Sequence, residues 1–389
     1  MKILLIAPSS FMSEKFSDVI YAPRSLVISL ADGLVERGWE IILATSPDVA
    51  TRAAILEGDR DLLNLLVEKH SRRNETIALR EEYEFIKRDY EIDLFARAFD
   101  FAVKNGVEIV HVYHKSMGHY FEAFLKDIPV IYTLHDPLPV SNSLSFEILN
   151  KFSMHRFVSV SQFQRESNNL SLNFIGNVYH GLNKDAYSMC ILPKSDHFSF
   201  IGRLVPQKGL ETVIEARKSL DFRLKLATTQ TELKLHSKEE ALIKNSLTKD
   251  DILITDYLVK SDKSDFFGQS RALLFPILWE EPFGLVMIES MACGTPVIAF
   301  ARGSVKEIVV DGKTGFIINS KKDDIRGDWI IKKTGLEGFI EAIKRIKEMG
   351  EDEYRQMRLN CRRHVEENFT IESMVKGYEK VYKKVLGIK

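Results

Sequence analysis

Two stretches in the C-terminal half join charged side chains to glycines at spacings that can do chemistry. In Gly202-Arg203-Leu204-Val205-Pro206-Gln207-Lys208-Gly209, an apolar run ends at Gly202, two cations follow five residues apart, and a helix begins near Lys208. Arginine offers a planar fork of donors that matches phosphate oxygens, and lysine a compact point charge. A helix N-terminus adds free N–H groups and the positive end of its dipole. All three suit a diphosphate; the competing reading is a solvated basic turn. In Leu278–Gly294, Glu281 and Glu289 bracket the start of a predicted helix that Gly294 closes. Eight residues of helix would separate the carboxylates by ~12 Å. That is too far for the acid/base pair of a hydrolase and suits a grip on hydroxyls at two parts of one extended ligand. Gly284 admits close backbone approach, and the N–H groups of Phe283, Gly284 and Leu285 would face an anion. The alternative makes Glu281 a helix-start charge and Glu289 a solvated one, yet Glu289 sits amid Val286, Met287, Ile288 and Met291. Neither a P-loop nor Gly-x-Gly-x-x-Gly occurs, which disfavours nucleotide triphosphatases and common dehydrogenases.

These turns need strands and helices to hold them. Short β-branched runs alternate with amphipathic segments along the chain: Ile3–Ala7, then a helix over Pro23–Arg37 closed by Gly38, then Glu40–Thr45. Further strands are expected at Val107–Tyr113, Pro129–Leu134 and Arg156–Val160, with 51–105, highly charged and helical in pattern, read as an insertion or a pair of surface helices outside the core. Gly181–His197 lacks periodicity and reads as an interdomain linker. A second series follows at Phe198–Ile201, Arg223–Ala227, Asp251–Thr255, Ala272–Phe275 and Pro296–Ala299, and the chain past Gly335 is helical. Repeated alternation predicts parallel sheets covered on both faces, hence an α/β chain of two doubly wound domains, 1–183 and 184–370, followed by 371–389. Ligands of such sheets bind at the carboxyl ends of strands, which places the expected site in a cleft between facing sheets.

The 389 residues exceed one typical domain. Lys and Arg total 54 against 55 Asp and Glu, a formal charge of -1, so nothing favours nucleic acid as the main partner. Cys190, Cys293 and Cys361 form neither a disulfide framework nor a zinc pattern, which fits a reducing compartment. Met1–Pro8 is too short for a signal-peptide core, and no apolar stretch reaches the ~20 residues of a membrane span. The expectation is a soluble cytoplasmic protein.

The two turns together resemble the retaining glycosyltransferases of family 4, which have the GT-B architecture of two Rossmann-like domains. The matching pieces are Gly-Arg-Leu…Gln-Lys-Gly and the Glu-x7-Glu from Glu281 to Glu289. Supporting matches are Gly294–Ala299, Ser304–Val309 and Asp311–Phe316. The resemblance implies that Arg203 and Lys208 bind the diphosphate of a nucleotide-sugar donor, with UDP favoured over GDP. Glu281 would hold the transferred sugar, Glu289 the ribose, and Tyr257 and Leu258 would flank the base. His135, at the end of Val130–Leu134, would stand near the transferred sugar, against the reading of a packed strand-end histidine. A helix at about Ile371–Val385 would return to the first domain. The chain departs from the family at Ala22-Pro23, where many members have two glycines, and at Thr228-Thr229-Gln230-Thr231, where a glycine-rich turn is common. Both shift anion binding onto Arg203 and Lys208.

Other signals carry less. His111, His114 and His119 do not match a zinc pattern and read as lining the acceptor side of the cleft. Asp59-Arg60-Asp61 has the form of a metal-binding Asp-x-Asp but no strand precedes it. No metal is expected. Lys69–Arg73 supports only weak peripheral contact with anionic lipid, because Glu68 and Glu75 dilute it. The acceptor, whether glycan, lipid or metabolite, is not readable. The reading is metal-independent transfer of a sugar; the alternatives are a GT-B-like epimerase, a phosphorylase, and a non-catalytic sugar-nucleotide-binding protein.

Overall fold

The computed structural model describes residues 1–17, 19, 21–113, 116–166, 170–229, 237–246, 248, 252–254 and 260–388. They form two compact units. One comprises Met1–Val160, Gln164–Tyr179 and Ile371–Lys389; the other comprises Ser161–Phe163 and His180–Thr370.

The N-terminal unit is built on a parallel sheet. Among the described residues its strands are β1 (Lys2–Ile6), β2 (Glu40–Thr45), β3 (Ala54–Glu57), β4 (Ile109–Val112), β5 (Val130–Thr133), β6 (Arg156–Ser159) and β7 (Phe174–Asn177). Their order is β3-β2-β1-β4-β5-β6-β7. Helices α1 (Pro23–Glu36), α2 (Arg60–His70), α3 (Ile77–Lys104), α4 (Leu144–Lys151) and α5 (Gln162–Glu166) occur along this part of the chain. α1 begins with proline at its first turn, buries Leu26, Val27, Leu30, Ala31 and Leu34, and is followed by left-handed Gly38 (φ 85°). The stretch 51–105 corrects the expectation of surface helices outside the core. It contains edge strand β3, and α3 places Leu94, Phe95, Ala98, Phe99 and Ala102 in the sheet's apolar core. The outer half of α3 is charged, which masks this inner stripe when the helix is read whole. Asp59 is the N-cap of α2, accepting from the N–H groups of Asp61 and Leu62 at 3.0 and 2.9 Å.

The other unit repeats the plan. Its described strands are β8 (His197–Ile201), β9 (Arg223–Thr228), β10 (Ile252–Ile254), β11 (Ser270–Phe275), β12 (Val297–Phe300) and β13 (Gly315–Ile318), all parallel, in the order β10-β9-β8-β11-β12-β13. The intervening helices are α6 (Leu210–Ser219), α7 (Ser237–Ser246), α8 (Lys260–Gly268), α9 (Leu285–Ala292), α10 (Val305–Ile308), α11 (Gly335–Glu348) and α12 (Glu351–Asn368). α11 buries Phe339, Ala342, Ile343 and Ile346, the i, i+3, i+4, i+7 stripe of a helix on a sheet. The buried Arg358 of α12 donates to the carbonyls of Cys190, Ser270, Gly268 and Cys293, tying three loops together. The segment expected to be a linker packs within this unit: Tyr187 is 5% exposed and Cys190 N–H donates to Cys293 C=O. In both sheets the order reverses beside the first strand, between β1 and β4 and between β8 and β11. Open α/β sheets bind ligands at such a switch point.

The last helix, α13 (Ile371–Leu386), belongs with the N-terminal unit and packs on α1. Its contact is polar as well as apolar. His111 Nδ1 lies 2.7 Å from Tyr382 Oη, His111 Nε2 lies 2.8 Å from Thr133 Oγ1, and Thr133 Oγ1 lies 3.1 Å from Tyr378 Oη. Glu379 accepts from Trp39 Nε1 at 2.8 Å and Arg37 Nε at 2.7 Å. His111 is therefore an internal anchor of this helix, fully buried, and does not line a ligand surface. Among the described residues no helix is long and apolar enough to cross a membrane.

Candidate functional site

Two loops leave the switch point of the second sheet: 202–209 after β8 and 276–284 after β11. They carry the two sequence stretches singled out for chemistry, and they are joined by a hydrogen bond from Leu278 N–H to Gln207 C=O at 2.8 Å. The first loop ends in a short 3-10 turn, Pro206–Lys208, and then left-handed Gly209 (φ 76°), so α6 starts at Leu210. A Cβ on Gly209 would stand 2.0 Å from the carbonyl oxygen of Pro276. Glycine is therefore required for the loops to meet this closely.

Lys208 and Glu281 pair across the two loops, Nζ to Oε2, at 2.8 Å, with side chains 17% and 12% exposed. Trp279 Nε1 donates to the same Oε2 at 2.9 Å, and the Lys208 ammonium lies 4.8 Å from the Trp279 ring centroid. The exposed Arg203 places its guanidinium carbon 5.9 Å from that ring. Glu280 faces the other way. It accepts from Gly303 N–H at 2.7 Å and pairs with Arg302 and Arg326 at 3.1 and 2.7 Å, which hold its carboxyl below the ordinary range despite burial. Asp324 pairs with the same two arginines. This network fixes the backbone that presents Glu281, whose C=O accepts from Ser304 N–H at 2.9 Å.

The helix expected to run from Glu281 starts later. Gly284 is left-handed (φ 83°) and caps α9, which begins at Leu285. A helical rise per residue does not apply across Glu281–Gly284, so the ~12 Å separation, which assumes 1.5 Å per residue, is not carried over. The N–H groups of Gly284 and Leu285 lie at the helix start, and Phe283 is buried with its C=O accepting from Ser304 Oγ at 2.7 Å. Glu289 lies on the second turn of α9. Its Oε1 accepts from Tyr187 Oη at 2.9 Å and from Lys263 Nζ at 2.8 Å, and its side chain is 11% exposed.

The structure thus brings Arg203, Lys208, Glu281, Gly284 and Leu285 to one pair of strand-end loops, and holds Glu289 in its own polar cluster. Tyr257 and Leu258 lie outside the described residues, as does His114. His135 stands in the N-terminal unit, two residues beyond β5, half-buried with its ring 4.4 Å from that of Tyr113. At the departure from the family pattern, Pro23 occupies the first turn of α1, and the next residue, Arg24, organises the loop after β1. Its Nε donates to Phe11 C=O at 2.9 Å and its Nη2 to Ser13 C=O at 2.9 Å. Sequence reading missed Trp279, Tyr187 and Lys263. Trp279 carried a signal, an aromatic beside the acidic loop; Tyr187 and Lys263 had none, because their relation to Glu289 is purely tertiary.

The family model described as "Glycosyl transferases group 1" matches residues 191–327. An uncharacterized glycosyltransferase of Methanocaldococcus jannaschii is 28% identical over 311 residues, covering 76% of this chain and 81% of that protein. These matches support a group 1 glycosyltransferase. The capsular polysaccharide biosynthesis glycosyltransferase CapM of Staphylococcus aureus is 26% identical to this glycosyltransferase over 280 residues, covering 68% of this chain and 65% of CapM. Among solved structures, sucrose-phosphate synthase from Thermosynechococcus elongatus matches with a TM-score of 0.74 at 17% identity, covering 100% of this chain and 99% of that one. Anabaena HepE, solved in complex with UDP and glucose, matches with a TM-score of 0.67 at 15% identity, covering 99% and 100%. The glycosyltransferase has the α/β GT-B fold.

Proposed function

We propose that this glycosyltransferase is a retaining enzyme of the family 4 type that moves a sugar from a nucleotide diphosphate sugar, UDP in preference to GDP, to an acceptor hydroxyl without a metal ion. The observation that carries the reading is the Lys208–Glu281 pair joining the two loops at the sheet's switch point. A lysine ammonium has three N–H donors. One is engaged by Glu281, which leaves two for phosphate oxygens. Arg203, exposed on the same loop, supplies the second cation, and the N–H groups of Gly284 and Leu285 add the positive end of α9. That HepE was solved with UDP and glucose supports a UDP donor on the same fold.

Each carboxylate is held through one oxygen, Oε2 of Glu281 and Oε1 of Glu289. The second oxygen of Glu281 would take hydroxyls of the transferred sugar, and that of Glu289 the ribose hydroxyls. Tyr257 and Leu258 would flank the base, and His135 would stand near the transferred sugar. In the reaction the bond between the anomeric carbon and the diphosphate oxygen breaks as the acceptor oxygen attacks the same face. The acceptor proton passes to the departing diphosphate. Lys208 and Arg203 neutralise the charge that grows there, so catalysis rests on positioning and preorganised electrostatics. Glycan, lipid and small metabolite all remain acceptor classes for this chemistry.

Thermal denaturation with a panel of nucleotides and sugar nucleotides, with magnesium or with chelator, tests the donor site. A ligand that binds only the folded state raises the melting temperature by mass action. A selective shift with UDP and its sugars, equal with and without magnesium, is expected. No shift with any nucleoside diphosphate would overturn the donor assignment. Product analysis with a competent acceptor then separates transfer from epimerisation or phosphorolysis.

A further inference from the structure

Away from the strand-end loops, three lone-pair atoms converge in the N-terminal unit. His119 Nδ1 lies 3.0 Å from His155 Nδ1, and His155 Nδ1 lies 2.7 Å from Glu122 Oε2. The three candidate ligand atoms all fall within 4.8 Å of one another. His119 and Glu122 come from successive 3-10 turns, Ser116–Tyr120 and Glu122–Phe124, in the β4–β5 connection. His155 comes from the turn between α4 and β6. No sequence spacing announces the trio, because the third member arrives by tertiary folding.

Hydrogen bonding serves this arrangement poorly. A neutral imidazole carries one N–H, and a carboxylate carries none. With that hydrogen on His155 Nδ1, a single proton has to serve both short contacts. A cation accepts all three lone pairs at once.

We propose that His119, Glu122 and His155 form a binding site for a divalent transition-metal cation, zinc foremost, with water as fourth ligand. Two imidazoles and a carboxylate are a common zinc donor set, and bonds of ~2.0–2.1 Å place tetrahedral ligands ~3.3 Å apart. The two short contacts, 3.0 and 2.7 Å, need to open by about 0.3 and 0.6 Å to reach that spacing, and the third pair already lies within 4.8 Å. The surroundings are those of an organised site. Tyr132 Oη donates to Glu122 Oε2 at 2.9 Å, and the His119 ring stacks on Phe152 with centroids 5.1 Å apart. Such outer partners orient ligands. His119 is 3% exposed, whereas the His155 and Glu122 side chains are 22% and 19% exposed, which leaves a path for the ion and its water.

The position separates this site from sugar transfer. His155 immediately precedes β6, at the amino end of that strand, while α/β ligand sites lie at carboxyl ends. The cation clamps the β4–β5 connection to the α4–β6 turn and acts on the stability of this unit. Zinc binding by the full-length chain, lacking any histidine tag and stripped with chelator, tests it by equilibrium dialysis and by visible absorption on cobalt substitution. The expected results are one zinc per chain, a rise in melting temperature, and the d–d bands of four-coordinate cobalt. Glu122→Gln and His155→Ala should each weaken zinc binding at least about 100-fold, the upper end of what even an outer partner's loss costs. Both should keep the wild-type circular dichroism spectrum without metal. The absence of saturable zinc binding by the wild-type chain would overturn the proposal. So would zinc binding and thermal stabilisation retained undiminished in both variants.

Discussion

At the residue scale, Glu281 and Glu289 are held in the same way: one oxygen takes a lysine ammonium and an aromatic side chain's polar hydrogen. For Glu281 these are Lys208 and Trp279; for Glu289 they are Lys263 and Tyr187. A carboxylate with little exposure needs such partners, because desolvation otherwise outweighs its interactions. Lys208→Ala removes the partner of Glu281 and, with it, the cation proposed to bind the diphosphate. Turnover should fall about 10²–10³-fold, the loss typical of one preorganised donor. The melting temperature should also drop, and steady-state kinetics with scanning calorimetry read the two effects separately. Trp279→Phe keeps the ring face and deletes only the N–H. It should cost about 1 kcal/mol, near five-fold in kcat/KM. Unaltered kcat/KM would mean that Trp279 does not orient Glu281.

Loops and helices set the next level. Gly209 and Gly284 are both left-handed, yet they meet different neighbours. A Cβ at 209 would strike the backbone oxygen of Pro276 at 2.0 Å, whereas one at 284 would strike the mobile tip of Met287 at 2.6 Å. Each alanine would incur the ~1–2 kcal/mol of an L-residue in that conformation. Gly209→Ala should cost clearly more than this and abolish donor binding, because the two loops must separate; Gly284→Ala should stay near it. Denaturant unfolding and nucleotide titration of both variants check the order. Strand–helix alternation made most elements legible, since short continuous apolar runs of strands buried on both faces stand out against the 3.6-residue stripes of the helices. Edge strands β3, β7 and β13 escaped. Their runs are four residues long, and β3 and β7 are only partly buried, so neither has a clear buried face to set a pattern.

The whole molecule adds a dependence on acid. Burial holds His111 in the N-terminal unit and His180 in the other down to about 3, against ~6.5 in an unfolded chain. Between those values the unfolded chain binds protons that the folded chain refuses, so stability rises with pH and is lost on acidification below about 6.5. Each group contributes a slope of about 1.4 kcal/mol per pH unit in that window. His111→Gln should lower stability at neutral pH, because Tyr382 and Thr133 lose their shared partner. It should also flatten the acid dependence of the N-terminal unit by that slope. Urea unfolding at a series of pH values, with probes in each unit, measures both; an unaltered slope would contradict the buried neutral imidazole.

The sequence by itself determined the fold class, the two series of parallel strands, the loops that hold Arg203, Lys208 and Glu281, and the helix that carries Glu289. Those properties depend on residue type and near-neighbour spacing, which a linear reading contains. Tertiary structure alone decided who stands beside whom. It set Trp279 and Lys208 on one oxygen of Glu281, and Tyr187 and Lys263 on one oxygen of Glu289. It sent His111 into the anchor of α13 and His119 to Glu122 and His155. Apart from the sequence neighbours Trp279 with Glu281 and His119 with Glu122, each such pairing comes from the closing of loops tens or hundreds of residues long. The entropy of closing a loop grows only slowly with its length, so distance along the chain leaves almost no trace of which ends will meet.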